Sequence, residues 1–168
     1  RITDRLAEFC VNEGAAGRCR TLEPVTEFEA CQDLLDWTAE ADRILYLYAA
    51  DPVCSFDEIG PVLEKAHVLS TLSIPEIMRS ARLLRAARIF SATLQPLPDE
   101  GLEKFKSFAG ALYEDLFFEK DTERCFLTEE QVADQATDEL FSIRKKIRKC
   151  NEDIKNTLLN MSRSKDFS

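Results

Sequence analysis

The chain is 168 residues long and 45% hydrophobic, with 5 Gly and 6 Pro, a composition that fits one packed domain, or one domain with an extension, and argues against a disordered chain. No apolar run approaches the roughly 20 residues needed to cross a bilayer and no signal peptide opens the sequence, so a cytoplasmic protein without a membrane partner is expected. The formal net charge of −9 is unevenly spread: residues 142–165 hold eight Lys/Arg against Glu152 and Asp153, a net +6, which leaves −15 for the remainder; an acidic body repels a phosphate backbone, and only the basic segment could approach one.

Arg1 to about Asn12 reads as a short helix with Ile2, Leu6, Phe9 and Cys10 on one face. Gly14 and Gly17 weaken its continuation, and a further turn or two carries Cys19 and Leu22 to Pro24. Thr26-Glu27-Phe28-Glu29 has the form of a capping box, hydroxyl and carboxylate satisfying orphan amides reciprocally. The helix behind it, to about Ala49, spaces Cys31, Leu34, Thr38, Ala41, Leu45 and Tyr48 as a seam beside an acidic stripe of Glu29, Asp33, Asp36 and Glu40. Paired carboxylates can do acid–base work, but without a pocket signal a solvated or salt-bridged face is the better reading.

Asp51-Pro52 ends that helix, because the residue before proline avoids helical geometry. A short helix follows from about Asp57 to Ala66, with Pro61 in its first turn. Ser73-Ile74-Pro75-Glu76 is a second capping box, and the helix it starts, to about Leu94, buries Ile77, Met78, Ala81, Leu84, Ala87 and Phe90 or Ile89. Arg79, Arg82, Arg85 and Arg88 recur every third residue on it. They read either as a phosphate track or as partners of acidic faces such as that of the Thr26 helix; a spacing of three winds around the helix, which favours pairing. After Pro96 and Pro98 a helix from Asp99 to about Phe118 presents Leu102, Phe105, Phe108, Ala109, Leu112 and Leu116, and a further helical piece ends near Phe126-Leu127.

Thr128 to Ala136 interrupts the pattern before the longest element of the chain. Thr137 is the expected N-cap, with Asp138 and Glu139 complementing the helix dipole. Leu140, Ile147, Ile154 and Met161 recur every seven residues, with Ile143, Cys150 and Thr157 in the complementary slot and Leu158 beside Thr157. This heptad seam keeps one apolar edge turned toward a partner helix. Between the seam positions lie Arg144, Lys145, Lys146, Arg148 and Lys149, the candidate nucleic-acid contacts. The fold expected is all-α: a helical core bundle over 1–136 and, from 137 to 168, the start of a long projecting lever-type, coiled-coil helix. Because the chain starts inside a helical pattern and stops just past a helix with no partner in the sequence, a fragment is expected.

The six cysteines, 10, 19, 31, 54, 125 and 150, include no C-x-x-C pair, and Cys10, Cys31 and Cys150 fall at apolar helical slots, so buried free thiols are expected over a zinc site. The single histidine, His67, ends a short helical pattern, where it caps or fills space. No phosphate loop, dinucleotide fingerprint or nucleophile–base pairing is present. The expectation is a segment with no catalytic residue, no metal and no cofactor of its own.

The order of these motifs resembles the second bacterial MutS family (MutS-two), paralogues of the mismatch-repair ATPase. The resemblance rests on Ile2 to Phe9; Leu22-Glu23-Pro24 and Thr38-Ala39-Glu40-Ala41; Ile59-Gly60-Pro61-Val62-Leu63-Glu64-Lys65-Ala66 with Leu72-Ser73-Ile74-Pro75-Glu76; Leu83-Leu84-Arg85-Ala86-Ala87-Arg88; and Val132-Ala133-Asp134-Gln135-Ala136-Thr137-Asp138-Glu139-Leu140 leading into Ile143-Arg144. Glu129-Glu130-Gln131 stands where that family has an Asp-Gly turn, Thr137-Asp138 where it has Ser-Pro, and residues 95–110 match least. The resemblance implies the core and lever base of an ATP- and Mg-dependent dimer that clamps DNA, branched or recombination intermediates included. It also implies an Smr endonuclease domain elsewhere in the polypeptide, a part in suppressing recombination or in ribosome rescue, and a nucleoid- or ribosome-associated location in the bacterial cytoplasm. A second class of function stays open: a stand-alone helical adaptor that docks a partner protein through the Leu140–Met161 seam.

Overall fold

A computed structural model of the chain describes residues 2–163. Among the described residues there are eight α-helices and no sheet, as the periodicity requires. The chain divides into two compact units, residues 1–119 and 120–168. Residues 120–136 fall in the same unit as the long helix that follows them.

In the first unit α1 spans Ile2–Ala7 and α2 spans Glu13–Arg20. The apolar face expected on α1 is not the buried one: Ile2 and Phe9 are exposed, and Ala7 and Ala16 are buried instead. Asn12, between the helices, accepts the Phe56 N–H at 2.8 Å. α3 spans Phe28–Asp42. Its N-cap is Glu27, whose carboxylate accepts the Ala30 N–H, so the box expected from Thr26 does not form; the cap has moved one residue along.

The predicted seam of α3 is also displaced. Cys31, Leu34 and Leu45 are exposed, and the inward face is Trp37, Glu40, Ile44 and Tyr48. A π-helical turn over Arg43–Leu47 continues the helix, and Ile44 within it and Tyr48 just after it pack in the core. The turn closes through the Tyr48 N–H on the Arg43 carbonyl at 3.0 Å and ends at Ala49, in the left-handed region at φ 49°.

α5, Ile74–Leu94, lies where the sequence placed it, whereas α4, Gly60–His67, starts three residues later than the expected Asp57. The Ser73–Glu76 capping box forms, and Lys65 of α4 pairs with the same Glu76. Three of the four arginines of α5 pair with acids outside α3: Arg82 with Asp57 at 2.9 Å, and Arg85 and Arg88 with Glu119.

The helix expected over 99–118 is two helices. α6 spans Glu103–Ala111 and α7 spans Leu116–Cys125. Leu112 is extended, and Asp115 restarts the chain by accepting the Phe118 N–H at 2.8 Å, an N-cap that the apolar periodicity across it concealed. The core of the unit is Ile44, Leu94 and Leu102, sheathed by Tyr48, Phe90, Leu97 and Phe105. Trp37 meets Phe105 edge-on at 5.0 Å, and Phe90 stacks on Phe105 at 6.1 Å.

Glu40 belongs to this core. It is buried, and its two carboxylate oxygens accept the Lys104 and Phe105 N–H groups at 3.1 and 3.0 Å. A residue expected on a solvated stripe is therefore the cap of another helix, satisfying amides that α6 leaves unpaired at its N-terminus. Gly101 holds φ 74° just ahead of α6, and a Cβ there would collide with the Arg43 guanidinium that donates to the Gly101 carbonyl.

Candidate nucleic-acid interface

The second unit mounts the long helix. The Phe126 and Val132 backbones form an isolated antiparallel bridge, closed by the Leu127 N–H on the Gln131 carbonyl at 2.9 Å. A tight turn thus forms with Glu129-Glu130 at its tip and no glycine. Ala133 and Ala136 are buried, and Arg124 of α7 donates to the Ala136 carbonyl at 2.9 Å while pairing with Asp121 at 2.6 Å.

α8 runs from Asp138 to Arg163, 26 residues and about 39 Å long at a helical rise of about 1.5 Å per residue. Thr137 caps it as expected, Oγ1 accepting the Leu140 N–H at 3.1 Å. The part of the expected lever helix over residues 164–168 lies outside the described residues.

The five basic candidates separate into two groups. Arg144 donates to the Val132 carbonyl at 2.9 Å and to Asp134 at 2.5 Å, and Arg148 reaches the other Asp134 oxygen at 2.9 Å. The Arg144 hydrogen bond, with Arg148 adding its charge, holds the Asp134 carboxyl below its usual range. These two guanidinium groups clamp the first turns of α8 to the segment before it. Lys145, Lys146 and Lys149 are exposed. At about 100° per residue, Lys145 and Lys149 lie opposite the apolar seam and Lys146 on its flank. Three ammonium groups on one helix can bind phosphates as point charges.

The seam is exposed along most of its length. Leu140 is half-buried, whereas Ile143, Ile147, Cys150, Ile154, Leu158 and Met161 are exposed, Leu158 at 61%. No sequence signal marks Asp134 and Arg124 as organising residues, because the Arg144 and Arg148 guanidinium groups that meet Asp134 and the Ala136 carbonyl that meets Arg124 lie ten or more positions away, beyond the reach of helical periodicity.

The expectation of buried thiols fails: Cys31 and Cys150 are exposed, and Cys10, Cys19, Cys54 and Cys125 are half-buried. His67 is exposed in the last turn of α4. Among the described residues no cluster of His, Cys, Asp and Glu could hold a metal ion, and no helix is long and apolar enough to cross a membrane.

No protein-family model and no solved structure matches the chain. Its sequence is similar to curated bacterial proteins named Endonuclease MutS2. That of Agathobacter rectalis is 29% identical over 161 residues, covering 92% of this chain and 20% of the relative. That of Bacillus cereus (strain B4264) is 27% identical over 169 residues, covering 98% and 21%, and that of Bacillus cereus (strain Q1) is 25% identical over 166 residues, covering 98% and 21%. An all-α chain with a capped basic helix near its end, similar over nearly its whole length to these proteins, resembles the MutS2 family and spans about a fifth of the length of the relatives it matches.

Proposed function

We propose that the chain is a non-catalytic helical segment of a MutS2-like DNA-processing ATPase, in which α8 is the base of a lever that carries motion between the ATPase and a nucleic-acid clamp. The similarity of 92–98% of the chain to bacterial MutS2 proteins supports this reading. In it the intact protein is a cytoplasmic homodimer, with ATP and Mg bound and an Smr endonuclease domain carried outside these residues. It acts on branched DNA and recombination intermediates, or at the ribosome, and so limits recombination or rescues stalled translation. Lys145, Lys146 and Lys149 then touch phosphates, while Arg144 and Arg148 hold the helix in place.

Fluorescence anisotropy of a four-way junction titrated with the 168-residue chain at rising salt tests the contact. Binding at low salt is expected, and the K145A/K146A/K149A variant should flatten the dependence of log K on log salt by up to about 2.7, roughly 0.9 for each lost phosphate contact on duplex DNA. Absence of binding at low salt removes the contact and leaves the lever. The downstream reading frame tests the lever itself: a phosphate loop and an Smr-like tail support it, and a stop codon directly after Ser168 ends it. The exposure of Ile147, Ile154 and Leu158 favours, as a second reading, an adaptor that docks a partner protein through this seam.

A further inference from the structure

Two sulfur atoms lie in contact in the first unit. Cys10 follows α1, Cys19 sits in the last turn of α2, and their Sγ atoms are 3.5 Å apart in a half-buried position. We propose that Cys10 and Cys19 are a modification site that closes reversibly to an intrachain disulfide, taking a low-molecular-weight disulfide such as oxidised glutathione as oxidant, and so staples α1 to α2.

The geometry is short of a bond by about 1.5 Å, since a disulfide needs about 2.05 Å between sulfurs. Rotation about χ1 and a small shift of α1 can supply that movement. α1 is six residues long; its Ala7 is buried, but Ile2 at its start and Phe9 just after its end are 90% and 79% exposed, so a small shift disturbs few large side chains. The partial exposure of both thiols admits a tripeptide oxidant. Arg18 and Arg20 flank Cys19 in sequence, and their charges act on Cys10 in favour of the thiolate, against the larger effect of the shared Cys10–Cys19 hydrogen bond, which raises its pKa. Cys31 and Cys150 are more exposed but have helical positions on separate elements.

The chemistry balances in two exchanges. One thiol of the pair loses its proton to solvent, and its sulfur attacks the oxidant's disulfide; one glutathione thiolate leaves, and a mixed disulfide forms on the protein. The second thiol, deprotonated in turn, attacks the protein sulfur of that mixed disulfide and expels the second glutathione thiolate. The protein pair is oxidised by two electrons and one oxidised glutathione is reduced to two thiols. A reducing cytosol reverses both steps.

The test is oxidation of the full 168-residue chain with oxidised glutathione in native buffer and in denaturant, followed by alkylation of remaining thiols and peptide mass mapping. In native buffer Cys10 and Cys19 should both become resistant to alkylation, carry no glutathione, and appear as one cross-linked peptide pair, whereas the exposed Cys31 and Cys150 carry at most glutathione. In the C10S and C19S chains the bridge cannot close, so at least one of the two should stop at the mixed disulfide, with glutathione retained on its remaining thiol of the pair. In denaturant the cross-links should scatter among the cysteines. Full alkylation of Cys10 and Cys19 after native oxidation, the same scatter in native buffer as in denaturant, or C10S and C19S chains that both lack glutathione at that remaining thiol would overturn the proposal.

Discussion

Glu119 is the most deeply buried charged residue among the described residues. Its side chain is 2% exposed, and its two oxygens accept Arg88 Nε at 2.9 Å and Nη2 at 2.8 Å, with Arg85 Nε at 3.6 Å. Hydrogen bonds to charged groups contribute about 1.5–3 kcal/mol each. Arg88 is 34% exposed and regains water when its partner is lost, so the lower end of that range applies. Glu119→Gln, which keeps the shape and removes the charge, should therefore destabilise the first unit by about 2 kcal/mol. Arg88→Met, which strands a buried carboxylate beside Arg85 alone, should cost about 3 kcal/mol. The double variant should lose about 2 kcal/mol less than the sum of the two single losses.

Trp37, the single tryptophan, packs on Phe105 in the same unit, so its fluorescence during urea unfolding reads this unit directly. The pH profile supplies an independent readout. The Arg88 bonds hold the Glu119 carboxyl below its ordinary value of 4.5. Its contribution is therefore complete above that value and is lost as pH falls through the folded pKa, and Glu119→Gln should flatten the acid limb of stability. A coupling energy under about 0.5 kcal/mol, or an acid limb unchanged in Glu119→Gln, would refute the assignment.

Glu40→Ala should destabilise the same unit by about 2 kcal/mol by orphaning the Lys104 and Phe105 amides, with Glu40→Gln losing about half as much, both read by Trp37 fluorescence. Gly101→Ala should cost about 1–2 kcal/mol, because φ 74° disfavours a Cβ that also displaces Arg43; the urea midpoint should fall with no change in slope. Thr137→Ala should weaken the first turn of α8 by about 1 kcal/mol, visible as about fivefold faster hydrogen exchange at the Leu140 amide with the first unit unaffected. Asp134→Asn should release Arg144 and Arg148, raising junction affinity at low salt in the same anisotropy titration; unchanged affinity would show that these guanidinium groups do not reach phosphate when freed.

Local chemistry decided much of this chain. The Ser73–Glu76 box, the Thr137 cap and the apolar periods set α5 and α8 nearly to the residue, because capping and 3.6-residue repetition act within one turn. The all-α class followed from the same repetition, and the order of short motifs carried the resemblance to MutS2. Tertiary structure decided which face of α3 turns inward, since Trp37 and Glu40 meet the Phe105 ring and the α6 amides, more than sixty positions away. It also decided which charges are spent. Glu40, Glu119 and Asp134 read in sequence like any surface acid, yet each meets amides or guanidinium groups brought from 10 to 65 positions away. Ion pairing depends on where the folded backbone delivers the partner, and for that reason two of the five basic residues on α8 hold the helix while three remain to face solvent.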